Sequence, residues 1–431
     1  MNNNQKNFKY LIIGNSAGGI GAVEGIRTYD RSGSIAVVSD EPYHPYSRPL
    51  IAKYLGQSWD EARIHFRDIS FFQENAVETF LDSLVKKLDT TKRQAVLENG
   101  MVIGWEKLLL ATGGTPIKPP IPGMSKKFVF TFTTFKDAKA IKSRLESLKE
   151  ASPKAIIIGG GLIGLSAAEA LQNLGVQPTI LEMQPRILGN MVDATTADRL
   201  NEAITGKGIP ILTGCTVVKI GEIKGKAVVH CDDGTAMTCD LIIMAAGVRP
   251  RTEIAKGTQI KTNRGFSVDK HMETSVPDVY ACGDAAEPYD YIYEESRPTP
   301  VWPNAYIGGR TAGYNMAGKV TEYPLCTSLN SLDYFGQEVV SAGIVTAPEG
   351  FAEIFQEDAN TYRKIIVKDG LIYGLVMAGN IRNSGIIYHL MKDRVDVSKF
   401  QNKLILPEFS LASLPASLWK EKLTPQRANQ H

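Results

Sequence analysis

Two short apolar runs in this chain each break into a glycine-rich turn, LIIGNSAGGIG at residues 11–21 and IIIGGGLIGLSAAEA at residues 156–170. In the second, an apolar strand from Ala155 leads into Gly159, Gly161 and Gly164 and then into a helical pattern. This is a complete G-x-G-x-x-G in its strand–turn–helix setting. Gly159 permits the tight turn, Gly161 leaves the backbone open to a pyrophosphate, and Gly164 lets helix and strand pack closely. The helix N-terminus then faces the phosphates with N–H groups that the helix itself does not pair. A second strand, QPTILE, ends at Glu182, 18 residues past Gly164, where a carboxylate accepts the ribose hydroxyls and disfavours a 2′-phosphate. NADH over NADPH is therefore expected, with Arg186 nearby as the residue that could soften the preference. The first turn reads G-x-S-x-x-G over Gly14, Ser16 and Gly19, with Ala17 opening the helix, and its second strand ends in Asp40 and Glu41. By itself it reads equally well as a structural turn, and the ribose acceptor is either of the two acids.

The 431 residues suffice for two to four domains. A net charge of +2 with 22% charged residues offers no field that selects nucleic acid or a membrane surface. MNNNQKNFKY is polar and runs straight into an apolar strand, so no secretory signal is expected and the reading is cytoplasmic. The longest apolar stretch, Ala155 to Ala168, is interrupted by glycines and too short to span a bilayer. The five cysteines, at 215, 231, 239, 282 and 326, show neither a CxxC pair nor zinc-like spacing, which disfavours structural disulfides and metal sites.

Three further segments lie in order around the turns. WEKLLLATGGTPIKPPIPG ends a strand in Ala111-Thr112-Gly113 and passes into a proline-rich crossover. CDLIIMAAGVRPRTEIA ends a second strand near Gly247, and TSVPDVYACGDAAE runs a third into Gly283-Asp284. Over roughly the first 320 residues these motifs, in this order, resemble the two-dinucleotide flavoproteins of the pyridine nucleotide-disulfide oxidoreductase family. The resemblance implies an α/β fold of two Rossmann-like dinucleotide-binding domains with the NAD domain inserted in the FAD domain. The FAD-binding domain would comprise 1–113 and 246–322, and the NAD-binding domain 114–245. It implies FAD on the first turn, held by Gly14, Ser16, Ala17, Gly19, Asp40, Glu41, Arg48, Ala111, Thr112, Gly113, Gly247 and Gly283, with Asp284 on the ribityl chain. It implies NAD on Gly159, Gly161, Ile163, Gly164, Glu182 and Arg186. Asp284 as an ordinary loop residue is the competing reading.

In RPTPVWPNAYIGGRTAGYNMAG, Pro303 starts a helix whose positive end would stabilise negative charge at the flavin pyrimidine ring. Rubredoxin, ferredoxin and nitrite reductases carry a similar Trp-Pro-x-Ala, which places Trp302 and Pro303 beside the flavin; a core tryptophan is the alternative. Disulfide- and peroxide-reducing relatives hold a redox cysteine within the region here reading EPYHPYSRPLIAKYL, where this chain has Tyr46, Ser47, Arg48 and Pro49 and no cysteine before Cys215. Cys282, beside Gly283-Asp284, reads as a small inert core residue. Lys53 matches a lysine near flavin N5 in iron–sulfur-protein reductases; a solvated surface lysine competes. Relatives carry a glutamate two residues after the last glycine of the NAD turn, where this chain has Ser166. Glu169, three residues further on, is the substitute on about the same helical face. Lys53 and Glu169 are the catalytic candidates.

Residues 323–431 change pattern to a third, α+β interface domain, which in relatives covers the flavin and often makes a dimer contact. Lys368-Asp369-Gly370 reads as a hairpin turn. The tail apolar residues Leu404, Leu406, Phe409, Leu411, Leu414, Leu418 and Trp419 dock either on their own domain or on a partner. The function implied is electron exchange between NAD(H) and an iron–sulfur or other redox protein, with hydride passing between nicotinamide C4 and flavin N5. An NADH oxidase and a flavin-binding interaction protein without turnover are the alternatives.

Overall fold

The computed structural model describes residues 5–416, apart from 58, 149–150 and 190, together with Leu418. Six helices position the site or organise the C-terminal unit: α1 (Ala17–Tyr29), α2 (Ile51–Gly56), α3 (Leu162–Asn173), α4 (Ala194–Gly206), α5 (Trp302–Met316) and α6 (Ser384–Lys392).

The strand Gln5–Ile13 pairs in parallel with Ile35–Val38 on one side and Val102–Leu110 on the other. Beyond Ile35–Val38 lies Val77–Phe80, and beyond Val102–Leu110 lie Gln94–Leu97 and Val85–Asp89; Val279–Ala281 also pairs with Val102–Leu110. Ile35–Val38 is buried throughout, as expected of a parallel strand covered on both faces. A second parallel sheet is built from residues between those of the first, in the order Ile211–Thr213, Gln177–Glu182, Lys154–Ile158, Leu241–Met244, Val129–Thr131. The chain leaves and re-enters the first sheet through an antiparallel ribbon, Gly114–Pro116 against Val248–Pro250. These are two Rossmann-type sheets, one inserted in the other.

Helices α1 and α5 cross at backbone contact. A Cβ on Gly309 would lie 1.9 Å from the Gly18 carbonyl oxygen, one on Gly21 2.4 Å from that of Tyr306, and one on Gly25 2.5 Å from that of Arg310. Only residues without a side chain allow this approach.

Residues 329 onward form an antiparallel sheet ordered Leu329–Tyr334, Gln337–Gly343, Leu371–Ala378, Tyr362–Lys368, Ala352–Glu357, with α6 packed on it. Asp369 and Gly370, both with positive φ (48° and 75°), make the expected two-residue hairpin turn. Residues 188–207, which the sequence places in the NAD segment, cluster instead with this C-terminal unit, while 1–187 and 208–328 form the other. The cause is a buried polar knot. Asp193 caps α4 at the Thr196 N–H, accepts from the Tyr362 hydroxyl at 2.6 Å, and pairs with the buried Lys364 at 2.7 Å. Burial opposes the Asp193 charge, yet Lys364, Tyr362 and Thr196 together hold its carboxyl below the usual range. In the tail, Leu404, Phe409 and Leu414 are buried, Leu406 is half-buried, and Leu411 is exposed. Arg363 holds the Leu406 carbonyl and Asn383 that of Phe409, so the tail packs on its own unit. Leu418 is half-buried, and Trp419 lies outside the described residues.

Candidate functional site

The two glycine turns have the same geometry. A Cβ on Gly164 would lie 1.9 Å from the Gly159 carbonyl oxygen, and one on Gly19 2.0 Å from that of Gly14. Gly159 is pressed against Ala245 as Gly14 is against Ala111, each strand end being hydrogen-bonded across (Ala245 N–H to Ile158, Ala111 N–H to Ile13). At Gly161 a Cβ would meet nothing within 4 Å, and Ser16, at the corresponding N-cap of α1, makes no capping bond with its hydroxyl. Helices α1, α3 and α5 all begin without a side-chain cap or an acid in the first turn. By contrast Phe135–Glu146 has a full capping box from Thr134 and Asp137. Helix N-termini without a side-chain cap at α1 and α3, with open space at Gly161, suit a dinucleotide pyrophosphate at each. Ile163 is half-buried in the first turn of α3.

Glu182 accepts the Gly160 N–H at 2.6 Å and that of Gln184 at 2.7 Å, which fixes its carboxylate over the NAD turn; Arg186 is exposed. In the first half the register differs. Gly159 donates to the Leu181 carbonyl and Gly14 to that of Val38, so Ser39 stands where Glu182 stands. Asp40, one residue on, lines a cavity of about 290 Å³ at the C-terminal ends of Gln5–Ile13 and Ile35–Val38, together with Gly14, Ser39, Thr112 and Arg251. Glu41 does not line it. Its carboxylate accepts from the Tyr46 hydroxyl at 2.6 Å and pairs with Arg48, which also donates to the Thr133 carbonyl. Of the two candidate ribose acceptors, Asp40 faces the cavity, and Glu41 instead positions Arg48.

The loops after the other strands converge on the first turn. Thr112 donates to the Arg251 carbonyl, and the Arg251 N–H to Gly113, tying the loop of Ala111 to the segment after Gly247. Cys282 is fully buried, with its sulfur against Gly18, and a Cβ on the adjacent Gly283 would touch Ala305 of α5 at 3.2 Å. The Cys282-Gly283 pair is thus wedged between the starts of α1 and α5. Burial raises the Asp284 carboxyl above the ordinary range, with the Arg48 charge opposing, and no other residue among those described donates a hydrogen bond to it. Burial, with Asp284 beside it, pushes the Cys282 thiol up to about 12. Pro303 sits in the first turn of α5, and the half-buried Trp302 meets Phe66 edge-on at 5.1 Å.

Lys53 is exposed. Its ammonium lies 5.7 Å from the centre of the Trp59 ring and has no ion pair among the described residues. Helix α2 packs on α3 with Gly56 against Ala170, which places Lys53 and the half-buried Glu169 on one packed helix pair. Ser166 is half-buried on α3.

Sequence reasoning missed the glycine seam between α1 and α5, whose signal was the spacing of Gly18, Gly21 and Gly25 against Gly309 and Gly313. It also missed Arg251, which no motif marks. The residues present fit the flavin well. The uncapped α1, the cavity at Asp40, the Asn15 side-chain oxygen, buried without a hydrogen-bond partner, and the raised Asp284 each suit a polar group of the cofactor.

Residues 8–330 match the family model of pyridine nucleotide-disulphide oxidoreductases, and residues 329–395 that of the rubredoxin NAD+ reductase C-terminal domain. The chain is 32% identical over 404 residues to the NADH-dependent phenylglyoxylate dehydrogenase subunit epsilon of Aromatoleum evansii, covering 92% of this chain and 94% of that one. It is 30% identical to the assimilatory nitrate reductase electron transfer subunit of Bacillus subtilis, covering 96% of this chain but 53% of the relative, so it spans about half of that protein. The crystal structure of NADH:rubredoxin oxidoreductase from Clostridium acetobutylicum superposes with a TM-score of 0.76 at 24% identity, over 95% of this chain and 99% of that one, a likeness of fold. No helix among the described residues is long and apolar enough to cross a membrane. With two glycine turns in one geometry, the loops that close the first, and a family model spanning three quarters of its length, the chain belongs to the pyridine nucleotide-disulphide oxidoreductase family and is an FAD- and NAD-dependent oxidoreductase.

Proposed function

We propose that this enzyme exchanges electrons between NAD(H) and an iron–sulfur or other one-electron redox protein of the ferredoxin or rubredoxin type, in the cytoplasm. Bound FAD supplies the conversion between two-electron hydride chemistry at the nicotinamide and one-electron transfer to the partner. The chain's own residues bind and orient. Gly159, Gly161 and the start of α3 hold the NAD pyrophosphate, and Glu182 its ribose. Gly14, Ser16 and the start of α1 hold that of FAD, with Asp40 at the adenosine end and Asp284 on the polyol. The positive end of α5 favours negative charge on the reduced cofactor.

One observation carries this reading over thiol-based chemistry. The flavin-side segment has Tyr46, Ser47 and Arg48 where a redox cysteine would stand, and Cys282 is sealed from solvent with its thiol pushed up to about 12. Electrons brought by NADH then have no protein thiol to enter. The name of the Bacillus relative, an electron transfer subunit, supports a protein partner in electron transfer, and the C-terminal family model supports one of rubredoxin type. A homodimer built on the C-terminal unit belongs to the same proposal.

The test is anaerobic mixing of the yellow protein with NADH, then with a rubredoxin or a ferredoxin. Fast bleaching of the flavin and stoichiometric reduction of the carrier are expected. Bleaching with no transfer to any carrier, but steady NADH consumption in air, would make the enzyme an NADH oxidase. No bleaching would leave a binding protein without turnover.

A further inference from the structure

We infer that Arg251 is a specificity residue for the adenosine half of the flavin, acting with Asp40 across the mouth of its cavity; this deepens the flavoenzyme reading and rests on it. Arg251 Nη2 donates to Asp40 Oδ2 at 2.8 Å, joining two residues 211 positions apart. Both line the cavity beside the first glycine turn, whose wall also carries the apolar Leu84 and Ile254 and the charged Lys86 and Glu253. Neither side chain is deeply buried, at 32% and 39% exposure, and exposed ion pairs of this kind add little to fold stability. The position of the pair gives it a different use.

The backbone of Arg251 is held independently of its side chain. Its N–H donates to the Gly113 carbonyl at 2.9 Å, and its carbonyl accepts from Thr112 Oγ1 at 2.7 Å. A guanidinium is therefore delivered to the cavity on a backbone anchored to the loop that packs against Gly14. The first half lacks a carboxylate at the register position that Glu182 occupies in the second, because Ser39 stands there. Asp40 supplies the carboxylate from one residue further on, and Arg251 holds it over the cavity. Arg251 also brings a planar, permanently charged donor to a site that receives a pyrophosphate and a ribose. FMN lacks the adenosine monophosphate half, so it reaches neither residue.

The experiment compares Arg251→Ala and Arg251→Lys with the parent, using the full chain. Release of FAD from the holoprotein is monitored by the rise of free flavin fluorescence, and uptake of FAD and of FMN by the flavin-stripped chain by its quenching. Arg251→Ala is expected to weaken FAD tenfold or more, the scale of one charge-assisted hydrogen bond, with FMN affinity within twofold of the parent. Arg251→Lys keeps the charge and should recover most of the loss. Asp40→Ala should repeat the FAD-selective loss, and the double variant should lose less than the sum of the two. Unchanged FAD affinity in Arg251→Ala overturns the inference. Equal losses for FAD and FMN overturn it too, since they report general damage to the fold. A parent chain that takes up neither flavin overturns the flavoenzyme reading and this inference with it.

Discussion

Replacing Glu182 by alanine is expected to weaken NADH binding ten- to hundredfold while leaving FAD in place. Each carboxylate oxygen of Glu182 already accepts one backbone N–H, Gly160 at 2.6 Å and Gln184 at 2.7 Å, and each keeps a lone pair for a ribose hydroxyl. Hydrogen bonds to a charged acceptor are worth about 1.5–3 kcal/mol each, and a half-exposed group sits at the low end of that range. One to two ribose bonds at that end of the range therefore come to about 1.5–3 kcal/mol, a factor of roughly ten to a hundred. Glu182→Gln keeps one acceptor oxygen and should lose less. Removing the carboxylate also removes its repulsion of a 2′-phosphate, so the ratio of NADH to NADPH affinity should narrow in both variants. Stopped-flow bleaching of the flavin against coenzyme concentration measures all of these. A parent enzyme reduced as fast by NADPH as by NADH, or Glu182→Ala binding NADH within twofold of the parent, would refute the assignment.

Cys282→Ser should leave the absorption spectrum of the two-electron-reduced protein unchanged, because the thiol is pushed up to about 12 and carries no thiolate; a long-wavelength charge-transfer band lost in the variant would contradict this. Lys53→Ala should slow flavin reduction by NADH about ten- to hundredfold, by about 1–3 kcal/mol, with FAD content unchanged. Reduction within twofold of the parent would make Lys53 the surface lysine that its exposure suggests. Lys364→Met should destabilise the protein by about 3–5 kcal/mol near neutral pH, because it strands Asp193 in the C-terminal unit without its cation. The Asp193 carboxyl is depressed in the folded chain, so its contribution is present above the ordinary carboxylate pKa and lost as pH falls through the depressed value. The Lys364→Met penalty should accordingly shrink as pH falls and the stranded carboxyl protonates; urea unfolding at neutral and at acid pH would show an undiminished penalty if the knot were merely packing.

Both Rossmann turns were legible in the sequence because a glycine that must admit a carbonyl oxygen to about 2 Å tolerates no other residue, and the constraint acts within a few residues of the chain. The helix start at Trp302-Pro303 and the Asp369-Gly370 turn are local in the same sense, being set by proline's fixed φ and by two successive positive φ angles. Asp40 and Glu41 could not be separated in this way. They are neighbours, and which one meets the cavity depends on Arg48, Tyr46 and Arg251, drawn from 5 to 211 residues away. The ion pair over the cavity, the seam of glycines between α1 and α5, and the capture of α4 by Lys364 are long-range in the same way. Turn and strand chemistry is written in adjacent residues because backbone sterics act over a few bonds. Charge pairing and helix crossing act through space, so only the folded chain decides which distant side chain arrives.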